Sequence, residues 1–169
     1  TVACDNASPI NDQPLSIKKQ DKKAHTPQIN VLIKKALTMD LSEDEIGKAG
    51  NILKYLSNTI YNEAVEAISN GNPALAVTRY EDFKSTILTA SPDMDLSERD
   101  VKFNLALASV YGRLNERSPS SENESKIVEC YSFVLNVDSN NYSANYNLAI
   151  FYYNKAVNII DNIDYEADI

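Results

Sequence analysis

The chain has 169 residues, 43% of them hydrophobic, with 16 Lys and Arg against 24 Asp and Glu and a net charge of −8. That length buries one sizeable core without needing a second domain, the acidic balance repels a nucleic-acid backbone, and no run of about 18 apolar residues is present to cross a bilayer. With only 4 Gly and 6 Pro, most of the chain is expected to fold.

At the N-terminus, Thr1-Val2-Ala3-Cys4 sets small residues ahead of a cysteine and resembles the end of a bacterial lipoprotein signal. The resemblance implies lipidation at Cys4, a lipid anchor as the sole membrane attachment, and a periplasmic or envelope-exposed location. The alternative is an ordinary cysteine in a polar leader. Residues 1–25 read as a disordered tether: Pro9, Pro14 and the mixed-charge run from Lys18 to Lys23 show no helical or strand period.

Thr26-Pro27 opens the first expected helix, with Thr26 as cap and Pro27 at the first helical position. Ile29, Leu32, Ile33, Ala36 and Leu37 then share one face. Ser42 with Glu45 forms a capping box ahead of a long helix to about Ser69. Asn70-Gly71-Asn72-Pro73 ends that helix and caps the next, which runs to about Ala90. Ser97 with Asp100 and Ser121 with Glu124 repeat the capping pattern, and a last helix runs from about Tyr142 to Asn162. No stretch alternates with period two, so the fold class is all-α: antiparallel helical hairpins packed side by side.

Asn104, Leu107, Ala108 and Tyr111 recur as Asn145, Leu148, Ala149 and Tyr152 at one offset of 41 residues. Removing the polar stretch 118–124 as an inserted loop leaves a period of about 34 residues. Leu148, Ala149 and Tyr152 then fall on the large, small and aromatic positions of the first helix of a tetratricopeptide repeat, which the segment from Ala144 to Tyr153 resembles. The stretch from Ile127 to Leu135 is similar to the second helix, with Tyr131 at the aromatic position. Ala76 and Tyr80 match the same helix of an earlier unit. Glu63, Ala67, Ile127 and Ser139 depart from the family pattern. The resemblance implies one domain over residues 26–169. It would be a short right-handed solenoid with units at about 51–92, 97–138 and 142–162 and an extra N-terminal helix.

Chemistry-bearing residues are sparse. His25 is the only histidine and has no nearby Cys or Asp partner; Cys130 sits among apolar neighbours as a packed thiol. Asp93-Met94-Asp95-Leu96-Ser97 begins like a calcium loop, but its central Gly is missing and Asn104 stands where a bidentate Glu belongs. Ser97 therefore reads as a helix cap. No metal, cofactor or catalytic group is expected.

In tetratricopeptide proteins the first helices of successive units line a groove that holds peptides. Carried over, the resemblance implies a protein- or peptide-binding groove of Asn58, Tyr61, Val65, Lys102, Leu105, Ser109, Arg113, Tyr146, Ile150, Tyr153 and Asn154. The competing reading buries part of this set between helices. The clamp that some family members use for a terminal carboxylate is not reproduced: its positions carry Tyr61, Val65, Ala106 and Ser143, with Asn147 alone matching in kind. A non-catalytic scaffold is the leading expectation. Alternatives are a structural module or homo-oligomer completed through the C-terminal helix, where Ile159, Ile160 and Ile163 remain uncovered, and a helical small-molecule binder.

Overall fold

The computed structural model describes residues 19–167, with side chains described over 28–163. Cys4 and the rest of the first eighteen residues, the His25 side chain and the last two residues lie outside that description. The described residues form helices α1 (Lys19–Ala36), α2 (Glu43–Ser69), α3 (Pro73–Ala90), α4 (Ser97–Arg117), α5 (Ser121–Val137) and α6 (Tyr142–Ala167), and no strand.

Local chemistry sets most of these ends. The α2 start is a complete capping box: the Ser42 side chain accepts from the Glu45 amide, and the Glu45 carboxylate accepts from the Ser42 amide at 2.9 Å. That hydroxyl and amide hold the Glu45 carboxyl below its ordinary range. At the α2 end, the Asn72 amide reaches the Ala67 carbonyl and the Gly71 amide reaches the Ile68 carbonyl, the paired bonds of a Schellman turn. Gly71 makes this possible with a φ of 69°. The Asn72 side chain then accepts from the Leu75 amide, with Pro73 at the first position of α3.

Four starts or faces differ from the sequence expectation. Helix α1 begins at Lys19 and runs through Thr26 and Pro27, because Lys19–Ala24 is built of good helix formers whose preference outweighs the proline signal. Its inward face is also shifted: Ile33, Ala36 and Leu37 turn to the body as expected, but Ile29 and Leu32 are exposed and Asn30 and Lys34 take their place. Ser97 does not cap α4; its amide donates to the Asp95 carboxylate at 2.8 Å, which takes the capping role. Ser120, one residue before Ser121, caps α5 by accepting from the Asn123 amide. The stretch 118–124 is likewise no loop insertion. The connection is three residues long, and the extra length has gone into α4 and α5.

Helices α2 with α3, and α4 with α5, are the two extensively packed pairs. They run antiparallel: Arg79 near the start of α3 pairs with Glu63 in the second half of α2 at 3.2 Å. A continuous core joins the pairs, from Ile60 and Ala64 on α2 through Tyr80 and Phe83 on α3, Phe103 and Leu107 on α4, to Tyr131 and Val134 on α5. Buried alanines at 64, 67, 76 and 108 allow close approach of the backbones. Helix α1 closes one end, packing on α2 and tied to α3 by Asn30 donating to the Thr86 hydroxyl at 2.6 Å and Lys34 to that of Ser85 at 2.8 Å.

Helix α6 closes the other end, packing chiefly on α5. Among its described side chains only Ala144 is fully buried, while Leu148 and Phe151 pack partly against the core. The repeated segments therefore share local chemistry but not burial. Asn104 and Asn145 each donate to a carbonyl one turn back, Asp100 and Asn141. Leu107 and Ala108 are buried, whereas Ala149 and Tyr152 are exposed, because no other described helix packs on that face of α6.

Candidate binding groove

Between helix α6 and the α4–α5 pair lies an open groove of about 690 Å³. Its floor is apolar, made by Ala108 of α4, Ile127 and Tyr131 of α5, and Ile150 and Phe151 of α6. Its rim is polar, with Ser109, Arg113 and Asn115 on the α4 side and Asn147, Asn154 and Asn158 on the α6 side. Lys155 bonds to Glu124 at 2.5 Å and holds α6 to the start of α5 across the groove.

The rim amides differ in how far they are already used. Asn147 donates to the Ser143 carbonyl and Asn115 accepts from the Ser120 amide. Among the described residues no hydrogen bond engages the side chains of Asn154, Asn158 or Asn162, three lining residues in successive steps of four along α6. The Arg113 guanidinium is exposed and has no ion-pair partner among the described residues. On the floor, burial pushes the Tyr131 phenol up, an effect the Ser109 hydroxyl partly offsets. Tyr131 thus stays protonated as a hydrogen-bond donor. Behind it, burial and then Glu129 push the Cys130 thiol up to about 11.

Of the residues expected at a groove, the structure brings Ser109, Arg113, Ile150 and Asn154 together here. Asn58 and Val65 are exposed on α2, and Lys102 is paired with Glu98 on α4, all outside it. Leu105 packs partly against the core. Tyr61 is drawn inward: its ring lies 5.1 Å from Phe83 and 6.2 Å from Tyr80, with the Arg99 guanidinium 5.3 Å above. Tyr146 and Tyr153 are exposed but do not line the groove, and Tyr146 stacks on Tyr142 at 5.8 Å. The floor residues Ile127, Tyr131 and Phe151 and the amides Asn158 and Asn162 were not among the expected set. The amides carried a signal: Asn147, Asn154, Asn158 and Asn162 follow one another at intervals of seven, four and four, a single polar stripe on a helix.

Such a groove offers amides, hydroxyls, the Arg113 guanidinium, the Glu116 carboxylate, the paired Lys155 and Glu124 and apolar surface, which is the chemistry of packing and hydrogen bonding. Among the described residues no group of three or more His, Cys, Asp or Glu side chains is arranged to hold a metal, and no helix is long and apolar enough to cross a membrane. Fold and groove together define an all-α protein of antiparallel helix pairs with an open cleft at one end. The chain matches no known protein family, no curated protein and no solved structure.

Proposed function

We propose that the protein is a non-catalytic, tetratricopeptide-like scaffold that holds an extended segment of another protein in the groove between the α4–α5 pair and α6. One observation carries the reading: the unused amides of Asn154, Asn158 and Asn162 stand in a row beside an apolar floor. Four residues of helix advance about 6 Å. Two residues of extended chain advance about 6.6 Å. Each amide is therefore in step with the backbone of every second ligand residue and, having both donor and acceptor, satisfies it without regard to side chain. The alternate ligand side chains then fall on Ile127, Tyr131, Ile150 and Phe151, and Arg113 meets a ligand carboxylate at the rim.

The test is a selection of random peptides on the purified protein, followed by calorimetric titration of the selected sequences. Replacing Asn154 and Asn158 with Ala should weaken binding about tenfold or more, at roughly 1 kcal/mol for each hydrogen bond. Tyr146→Ala with Tyr153→Ala, outside the groove, should leave affinity unchanged. Selected peptides that bind the asparagine variant as tightly as the parent would refute the groove as the site.

A further inference from the structure

Helix α6 carries a second feature that the groove does not use. On the face turned away from α5, steps of four and three from Tyr142 through Tyr146, Ala149, Tyr153, Ala156 and Ile160 to Ile163 trace an unbroken heptad seam. Every residue of it is exposed, the three tyrosines and two isoleucines by 54–77%. Monomers seldom leave so long an apolar stripe in water. We propose that this seam is a homodimer interface, in which α6 of one chain packs antiparallel on α6 of a second copy about a two-fold axis at Tyr153.

Antiparallel pairing brings unlike residues together. Reversed about Tyr153, Tyr146 falls opposite the second copy's Ile160 and Tyr153 meets itself, while Tyr142 comes within one residue, about 1.5 Å of helix rise, of Ile163, and Ala149 within one residue of Ala156. Aromatic rings thus lie on branched aliphatic chains at both ends. The two alanine pairs flanking the centre let the helices approach closely enough for the Tyr153 rings to pack. Each tyrosine keeps its hydroxyl at the edge of the seam, where it stays wet.

Charge selects both the partner and the direction. A protein with net charge −8 repels its own copies wherever acidic surfaces meet. None of the seven seam residues is Asp, Glu, Lys or Arg; the charged residues of the same span, Lys155 and Asp161, stand off the seam. Helix α6 also has no acidic residue in its first turn and no basic residue in its last, so neither end of its dipole is answered from within. Antiparallel pairing sets the exposed Asp161 of each copy beside the first turn of the other's α6. A parallel pair would set the two Asp161 carboxylates together instead. The area is sufficient as well. At the 150–250 Å² an aromatic side chain offers, the exposed parts of the seam and its flanking Tyr152 come to at most roughly 800 Å² per copy, close to the size of a standard specific interface.

Sedimentation equilibrium of the 169-residue chain at micromolar concentration should give twice the 18.8 kDa chain mass. The double variant Ala149→Glu, Ala156→Glu sets like charges face to face across the axis. It should weaken the dimer at least about 100-fold with an unchanged circular dichroism spectrum, since Glu is a good helix former at these exposed positions. In a Cys4→Ser background, Tyr153→Cys should oxidise to a disulfide-linked dimer. Tyr142→Cys should not, being about 30 Å from its counterpart. A monomer throughout the micromolar range, a dimer that survives the double Glu variant, or cross-linking as rapid at position 142 as at 153 would each overturn the proposal.

Discussion

The rings of Tyr80 and Phe103 lie face to face, 3.9 Å between centroids and 4° from parallel, joining the last helix of the first hairpin to the first helix of the second. Tyr80 is 2% and Phe103 8% exposed, so this stack is the centre of the joint between the two pairs. The Tyr80 hydroxyl is buried without a well-formed hydrogen bond. Burial and then the neighbouring Asp100 carboxylate push its phenol far above the ordinary range, so it remains neutral. Phe103→Ala and Tyr80→Ala should each cost about 3–5 kcal/mol in urea unfolding. Tyr80→Phe should cost less than about 1 kcal/mol, because it removes a hydroxyl that gains little inside. A large loss in the Phe variant would show that the hydroxyl does form a strong bond to Asp100.

The turn between α2 and α3 depends on backbone conformation more than on space. A methyl group at Gly71 meets no atom within 4 Å, yet the φ of 69° is one that L side chains adopt at a cost. Gly71→Ala is expected to lower stability by about 1 kcal/mol, and Asn72→Ala by a similar amount through the lost bond to the Leu75 amide. Thermal melts of the two single variants and the double variant provide the check.

At the start of α4 the competing caps are two residues apart. The Ser97 hydroxyl and then its amide hold the Asp95 carboxyl below its ordinary range, so its contribution is present above the usual carboxylate pKa and is lost as pH falls through the lowered value. Asp95→Ala should lower the Tm at neutral pH more than Ser97→Ala does, and the difference should shrink in acid. Equal effects of the two substitutions would return the capping role to Ser97.

Burial of Cys130 gives stability an alkaline dependence of defined sign. Its thiol is raised from 9.0 to about 11, so the folded state holds the proton more tightly. The contribution is complete below about pH 9 and is lost as pH rises through about 11. Burial also raises the Tyr111 and Tyr131 phenols, which adds in the same direction. Denaturation midpoints should fall between pH 8 and pH 11, less steeply in Cys130→Ala. At pH 8 a thiol reagent should modify Cys130 only as fast as the protein opens.

Tyr61 separates stability from binding. Its ring is held between Phe83 and the guanidinium of Arg99, which also stands 5.3 Å from the Phe83 ring. Tyr61→Ala should cost about 2 kcal/mol through lost packing, and Arg99→Gln about 0.5–1 kcal/mol. Neither change should alter the affinity of a peptide for the groove, measured at a temperature where both variants are folded.

The sequence by itself determined the helical class, and it determined helix ends wherever a single local oxygen had one possible amide. The Ser42–Glu45 box, the Gly71 turn and the Asn72–Pro73 start all act within about five residues, so no distant contact was needed to settle them. Where two signals competed locally the outcome was not legible: Asp95 against Ser97, Ser120 against Ser121, and the helix-forming run at Lys19 against Pro27. Tertiary structure alone decided which exposed-looking positions face a cleft. Tyr61 and Ser109 occupy the same kind of helical stripe, yet one ring is covered by Arg99 and the other side chain borders the groove. The difference arises because Phe83 of α3 and Arg99 of α4 both reach the Tyr61 ring, whereas α6 packs chiefly on α5 and leaves the α4 side of the cleft open. Such an arrangement is set by summed packing over many side chains, and no short stretch of sequence carries it.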